Sequence, residues 1–143
     1  MFRLAFVFGV LSAMPAFSLT PAEELGKALF FDGSLSVNGN QPCSFCHDPA
    51  MGFSSPHAQF NAAGSVVEGS VPGRFGNRKP PSAAYAAFAP VLHHVWEDGD
   101  ILFVGGAFHN GRATGGVTGN VAADQAMGPF LNPVEMGMPH AAC

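Results

Sequence analysis

Five consecutive residues carry the most specific chemistry in this sequence: Cys43-Ser44-Phe45-Cys46-His47. Two cysteines three positions apart fall on one face of a helical turn, where their sulfurs reach two neighbouring vinyl groups of a haem. The histidine that follows points its imidazole at the iron. The same spacing also serves redox dithiols and half of a zinc site. Zinc needs a second ligand pair, and the only other cysteine is Cys143. A redox dithiol of the thioredoxin kind sits in a βαβ setting, which this chain does not show. The motif therefore reads as a covalent attachment site for one c-type haem, with His47 as proximal ligand. Four histidines, His57, His93, His94 and His140, and four methionines, Met51, Met127, Met136 and Met138, could supply a sixth ligand. Solvated histidine and packed methionine are the ordinary roles of these residue types.

The elements that must position this motif are short. Thr20-Pro21-Ala22-Glu23 is a capping box with proline at the first helical position. Leu25, Ala28 and Leu29 then repeat at helical spacing until Asp32-Gly33. Gln41 to Asp48 forms one short helix closed by Pro49. Residues 51–81 are rich in Gly, Pro, Ser and Asn and read as loop. Ser82 to Ala89 reads as a short helix with Tyr85 and Phe88 directed inward. Glu97 to Asn120 is irregular and glycine-rich. Val121 to Met127 is helical with Asn120 as its cap, Gly128-Pro129 ends it, and Asn132-Pro133 opens a turn carrying Glu135 and Met136. No stretch alternates convincingly as a strand. The expected fold class is all-α, a cytochrome c-like haem domain with long irregular loops that pack on the haem.

Composition bounds what such a domain can do. The 143 residues suffice for one domain. They are 48% hydrophobic but only 11% charged, with 18 glycines and 12 prolines, so a buried haem is expected to supply much of the core. The net charge is −4 and no basic patch exists, which excludes nucleic acid as a partner. Arg3, the apolar run Leu4 to Met14 and the small residues of Ala16-Phe17-Ser18 read as a secretory signal peptide over 1–18. That run is shorter than the roughly 18 apolar residues of a membrane span. The mature chain, 19–143, is expected beyond a membrane, in the periplasm. Three cysteines, two of them in one tight motif, give no disulfide framework.

The flanks of the motif resemble a known family. Leu25-Gly26-Lys27-Ala28-Leu29-Phe30-Phe31-Asp32, then Leu35-Ser36, then the cysteine motif with Asp48-Pro49, resembles the opening of bacterial di-haem cytochrome c peroxidases and MauG-like proteins. Arg78 and Pro81-Ser82 are similar to that family's R-N-x-P-[ST] segment. Gly105-Gly106-Ala107-Phe108-His109-Asn110-Gly111-Arg112-Ala113 resembles its G-G-x-F-W-D-G-R-A segment. Gln125-Ala126, Gly128-Pro129, Asn132-Pro133 and Glu135-Met136 resemble its Q-A-x-G-P-x-x-N-P-x-E-M block. Four blocks in one order identify the chain as the family's N-terminal haem domain.

The resemblance implies two α-helical cytochrome c-like domains, each with one haem. It implies catalytic roles for Glu135 and Gln125 over the open haem face, where composition alone would leave a loop acid and a helix-surface amide. It implies a haem-propionate contact for Arg112, which otherwise reads as a surface arginine. The implied reaction is reduction of hydrogen peroxide, with electrons from a small cytochrome or cupredoxin. MauG-like members instead oxidise side chains of a partner protein, and a mono-haem electron carrier is a further alternative. The sequence departs from the family in three places. No second C-x-x-C-H is present, so a second haem domain is expected in trans or lost by truncation. His109-Asn110 replaces the Trp-Asp pair, and Trp96, the only tryptophan, lies outside that block. Lys79 stands where the family has an asparagine of a calcium site, and a charged lysine cannot ligate calcium, so calcium binding is expected to be weak or absent.

Overall fold

The computed structural model describes residues 18–56 and 66–139. The signal-peptide reading of 1–18 therefore falls almost wholly outside the described residues, as do His57, His140 and Cys143. Helix α1, Pro21–Phe30, begins as its sequence predicts: the Thr20 hydroxyl accepts from the Glu23 N–H while the Glu23 carboxylate accepts from the Thr20 N–H. The apolar positions Leu25 and Leu29 nevertheless remain exposed. Helix α2 is a single turn, Cys43–Cys46. The chain then tightens into a 3₁₀ turn at Pro49–Met51, capped by the Asp48 carboxylate.

The fold is not all-α. His93–Glu97 (β1) and Asp100–Val104 (β2) form an antiparallel two-stranded sheet, with His93 opposite Val104 and Glu97 opposite Asp100. Its turn is Asp98-Gly99, both at positive φ, 51° and 89°. An Asp-Gly pair in such a primed turn twists with the strands and is a strong hairpin signal. The alternation that accompanies most hairpins is missing: every residue of both strands is exposed, and Ile101 to Val104 of β2 are apolar in succession, so both of its faces are apolar. The expected helix at Ser82 to Ala89 contracts to a 3₁₀ turn, Ala86–Phe88. Tyr85 and Phe88 point outward there, 83% and 82% exposed.

Helix α3, Val121–Ala126, is capped by the Asn120 side chain on the Ala123 N–H. Gly128–Leu131 (α4) follows directly. The first of these helices thus ends before Gly128-Pro129 as expected, and the pair opens a new one, with Pro129 in a first turn where its missing N–H is not needed. Among the described residues the buried apolar side chains are Val67, Ala113, Val121 and Met136. Around them lies a polar framework. Ser70, 1% exposed, donates its N–H to the Glu135 carbonyl (2.7 Å) and its hydroxyl to Asn40 (2.6 Å), and its carbonyl accepts from Asn38 and Asn40. The Ser36 hydroxyl accepts from the Asn40 and Gln41 N–H groups. Val37 N–H reaches the Met136 carbonyl. Through these bonds the segment entering α2 is fastened to the turn bearing Glu135, almost a hundred residues away. Among the described residues no helix is long and apolar enough to cross a membrane.

Candidate haem site and the Glu135 cavity

Helix α2 places Cys43 and Cys46 on consecutive corners of one turn, both half-buried and both free thiols. Burial pushes both thiols up. For Cys46 it acts first, with the Glu135 carboxylate and Cys43 adding to it against a bond from Gln41, and together they raise the thiol to about 12. Burial thus favours the protonated thiol over the thiolate at both positions.

His47 follows as the C-cap. Its Nδ1 lies 3.2 Å from the Phe53 carbonyl oxygen. A carbonyl can only accept, so Nδ1 carries the proton and Nε2 keeps its lone pair for a metal. A fixed tautomer, two thiols one turn apart and a ring held by a backbone acceptor are the parts a covalently attached haem needs. The donor set of α2 thus fits the group its sequence predicts.

A second group of side chains converges on a cavity of about 300 Å³ lined by residues that include Phe108, Arg112, Gln125, Asn132 and Glu135. The structure brings together Arg112, Gln125 and Glu135, which sequence places up to 23 positions apart. Glu135 is half-buried. Its Oε1 accepts from Asn132 Nδ2 at 2.9 Å. Burial holds its carboxyl above the usual range, and the nearby Arg112 guanidinium and the Asn132 bond only partly oppose this. Arg112 lies 3.4 Å over the Phe108 ring and donates to Asn110 at 3.3 Å. Asn110 also accepts from the Arg112 N–H, so it orders this loop despite replacing the family's aspartate. Gln125 is half-buried on α3, one residue after Asp124. The Asp124 carboxylate in turn accepts from Val117 and Thr118 and ties down the Gly/Thr-rich insertion, Thr114 to Asn120.

The Glu135 carboxylate lies near enough to Cys46 to add to the rise of its thiol, so the turn bearing Glu135 sits close to α2. One backbone approach makes this geometry possible. A Cβ on Gly69 would lie 2.5 Å from the Val134 carbonyl and 2.8 Å from that of Glu135. Only glycine lets the 67–70 segment press against the Glu135 turn.

The other candidate ligands are dispersed. Met136 is core, 3% exposed; Met51 and Met127 are exposed, as are His93 and His94 on β1. Trp96, on β1, is 71% exposed. Three residues to which the sequence assigns no chemical role support the site. Asn132 holds Glu135, and the N-P-x-E spacing, a cap followed three positions later by an acid, is the signal that could have found it. Phe53 holds His47 through its backbone, which no side-chain pattern reveals. Gln41, 4% exposed, donates to the Glu68 carbonyl at 3.0 Å and lies 3.9 Å from the Cys46 sulfur.

Comparison with known proteins gives the family. Residues 20–143 match the family model of the di-haem cytochrome c peroxidases. The chain is 40% identical over 118 residues to the methylamine utilization protein MauG of Paracoccus denitrificans, an alignment covering 82% of this chain and 28% of that protein. It is 45% identical over 62 residues to the cytochrome-c peroxidase IdrP2 of Denitromonas iodatirespirans, covering 36% of this chain and 17% of that one. The crystal structure of the diheme peroxidase BthA from Burkholderia thailandensis superposes with a TM-score of 0.70 at 34% identity, over 89% of this chain and 29% of BthA. The chain thus spans less than a third of the length of these relatives. On the family match from residue 20 onward, the chain belongs to the di-haem cytochrome c peroxidase family.

Proposed function

We propose that this chain is the N-terminal haem-binding unit of a peroxidase that reduces hydrogen peroxide to water, with Glu135 moving the protons. One observation carries the reading. Glu135, a carboxyl held above its usual range by burial, shares a cavity with an amide and a guanidinium and lies near enough to Cys46 to influence its thiol.

Cys43 and Cys46 would hold the haem covalently and His47 would ligate its iron, supplying the electrons and the Lewis acidity for breaking the O–O bond. The chain's own residues do the rest. Reduction of peroxide consumes two protons and two electrons and yields two waters. Glu135 takes the proton from the near oxygen and returns it to the far one, so that water leaves in place of hydroxide. A carboxyl with a raised pKa suits both halves of this shuttle. Asn132 fixes which carboxylate oxygen faces the cavity. Gln125 orients the peroxide through its amide without adding charge. Arg112, a cation at the rim, is placed to pair with a haem propionate. Electrons arrive from a small cytochrome or cupredoxin by way of a second haem domain. The leader reading places the reaction in the periplasm, and one haem per chain of this length follows from the single motif.

The test is the optical spectrum of the haem-loaded protein, ferric and then with peroxide. A high-spin ferric haem that reacts rapidly supports the proposal. A low-spin, six-coordinate haem indifferent to peroxide overturns it in favour of an electron carrier. A reaction that consumes peroxide only when a protein substrate is oxidised would place the chain with MauG-like oxidases.

A further inference from the structure

Phe53 occupies the left-handed region at φ 57°, directly after Gly52 at φ 64°. For a residue with a bulky side chain this backbone conformation is strained. Such strain persists only where the surroundings over-determine it, and here they do. The two peptide planes that flank Phe53 are each held by hydrogen bonds. In the first, the Gly52 carbonyl accepts from the Ser82 hydroxyl at 2.6 Å while the Phe53 N–H donates to the Asp48 carbonyl at 2.8 Å. In the second, the Phe53 carbonyl accepts from His47 Nδ1 at 3.2 Å and from the Ala83 N–H at 3.0 Å. The Phe53 ring also lies edge-on to Phe30 of α1, centroids 6.0 Å apart.

Two of these bonds come from far along the chain. Ser82 stands 30 positions beyond Gly52, and its hydroxyl also accepts from the Ala84 N–H, which fixes the direction of its proton. The Pro81-Ser82-Ala83 segment thus clamps the turn whose carbonyl sets the tautomer and tilt of His47.

We propose that Ser82 is a positioning residue for the haem-ligating histidine: its hydroxyl, together with the Ala83 N–H, holds the Gly52-Phe53 turn so that the Phe53 carbonyl keeps its bond to His47 Nδ1. This rests on His47 being the proximal ligand. A firm bond at Nδ1 raises the basicity of Nε2 and stabilises ferric iron over ferrous. Loosening the turn weakens that bond.

The experiment uses the full haem-loaded chain with Ser82→Ala, Ser82→Val and Ser82→Thr. The readouts are the ferric/ferrous midpoint potential, the iron–histidine stretching frequency of the ferrous form, and the solvent exchange rate of the His47 Nδ1 proton. Ala and Val are expected to raise the potential, lower the stretching frequency and speed exchange about five- to tenfold, the change that follows loss of one ordinary hydrogen bond. Thr keeps the hydroxyl and is expected to match the wild type. If the Ala variant does not fold, the near-isosteric Thr and Val pair carries the same comparison. Val indistinguishable from Thr in all three readouts overturns the inference while leaving His47 as ligand. Absence of an iron–histidine vibration in the wild type overturns both.

Discussion

Replacing Glu135 by glutamine separates proton transfer from architecture. The glutamine carbonyl can still accept from Asn132 Nδ2, and the backbone bonds from the Ser70 N–H to residue 135 and from the residue 135 N–H to the Asn132 carbonyl do not involve the side chain. The fold is therefore expected to persist. Stability should even improve at neutral pH. A buried carboxyl whose folded pKa lies above its unfolded value binds its proton more tightly when folded. Its contribution is favourable below the unfolded pKa and is lost as pH rises through the folded value. An amide removes that loss, so the variant should show a flatter dependence of melting temperature on pH, with an equal or higher melting point at pH 7. The reaction with peroxide should nonetheless slow by about 10²–10⁴-fold, the usual size of a general acid–base contribution. Stopped-flow spectroscopy of the haem-loaded variant measures the rate and calorimetry the stability. A rate within about twofold of wild type would remove Glu135 from the chemistry, because a proton shuttle cannot be lost at so small a cost. A slow rate accompanied by lower stability and lower haem content would show a structural role.

Other outcomes follow from the same geometry. Arg112→Gln removes a cation that lowers the Glu135 pKa, so the acid limb of the peroxide pH–rate profile should move to higher pH; an unmoved limb would show the two groups are not coupled. Gly69→Ala places a methyl carbon against the Val134 and Glu135 carbonyls and should cost about 1–3 kcal/mol in urea unfolding while also slowing the peroxide reaction. An unchanged midpoint would mean that the contact relaxes freely. Gly99→Ala forces an L-residue to φ near 89° and should cost about 1–2 kcal/mol locally. Hydrogen exchange should quicken in β1 and β2 while the Ser70 amide stays protected, and uniform loss of protection would show that the hairpin is integral to the core.

Local devices were legible in sequence because all their partners lie within one turn. The Thr20–Glu23 capping box and the Asn120 cap form as predicted. The hairpin is hidden from any test of alternation because its strands are exposed on both faces; there the turn chemistry of Asp98-Gly99 is the surviving signal. Tyr85 and Phe88 were expected inward because aromatic residues usually bury, yet local pattern cannot say whether a neighbouring element exists to cover them.

By itself the sequence carried the reading of Cys43, Cys46 and His47 as a haem attachment site, since three donors in five residues need only one helical turn to act together. It also supplied, through the order of its blocks, the family and the identities of Gln125, Glu135 and Arg112. Tertiary structure alone decided that these side chains share one cavity and that Glu135 comes near Cys46. That depends on Ser70 bonding to Glu135 and on the missing Cβ of Gly69, contacts between segments some 65 residues apart. It alone decided that a left-handed Phe53, clamped by Ser82 and Ala83, holds His47. Backbone groups carry no residue-specific signature, so bonds between distant peptides stay invisible until the chain is folded.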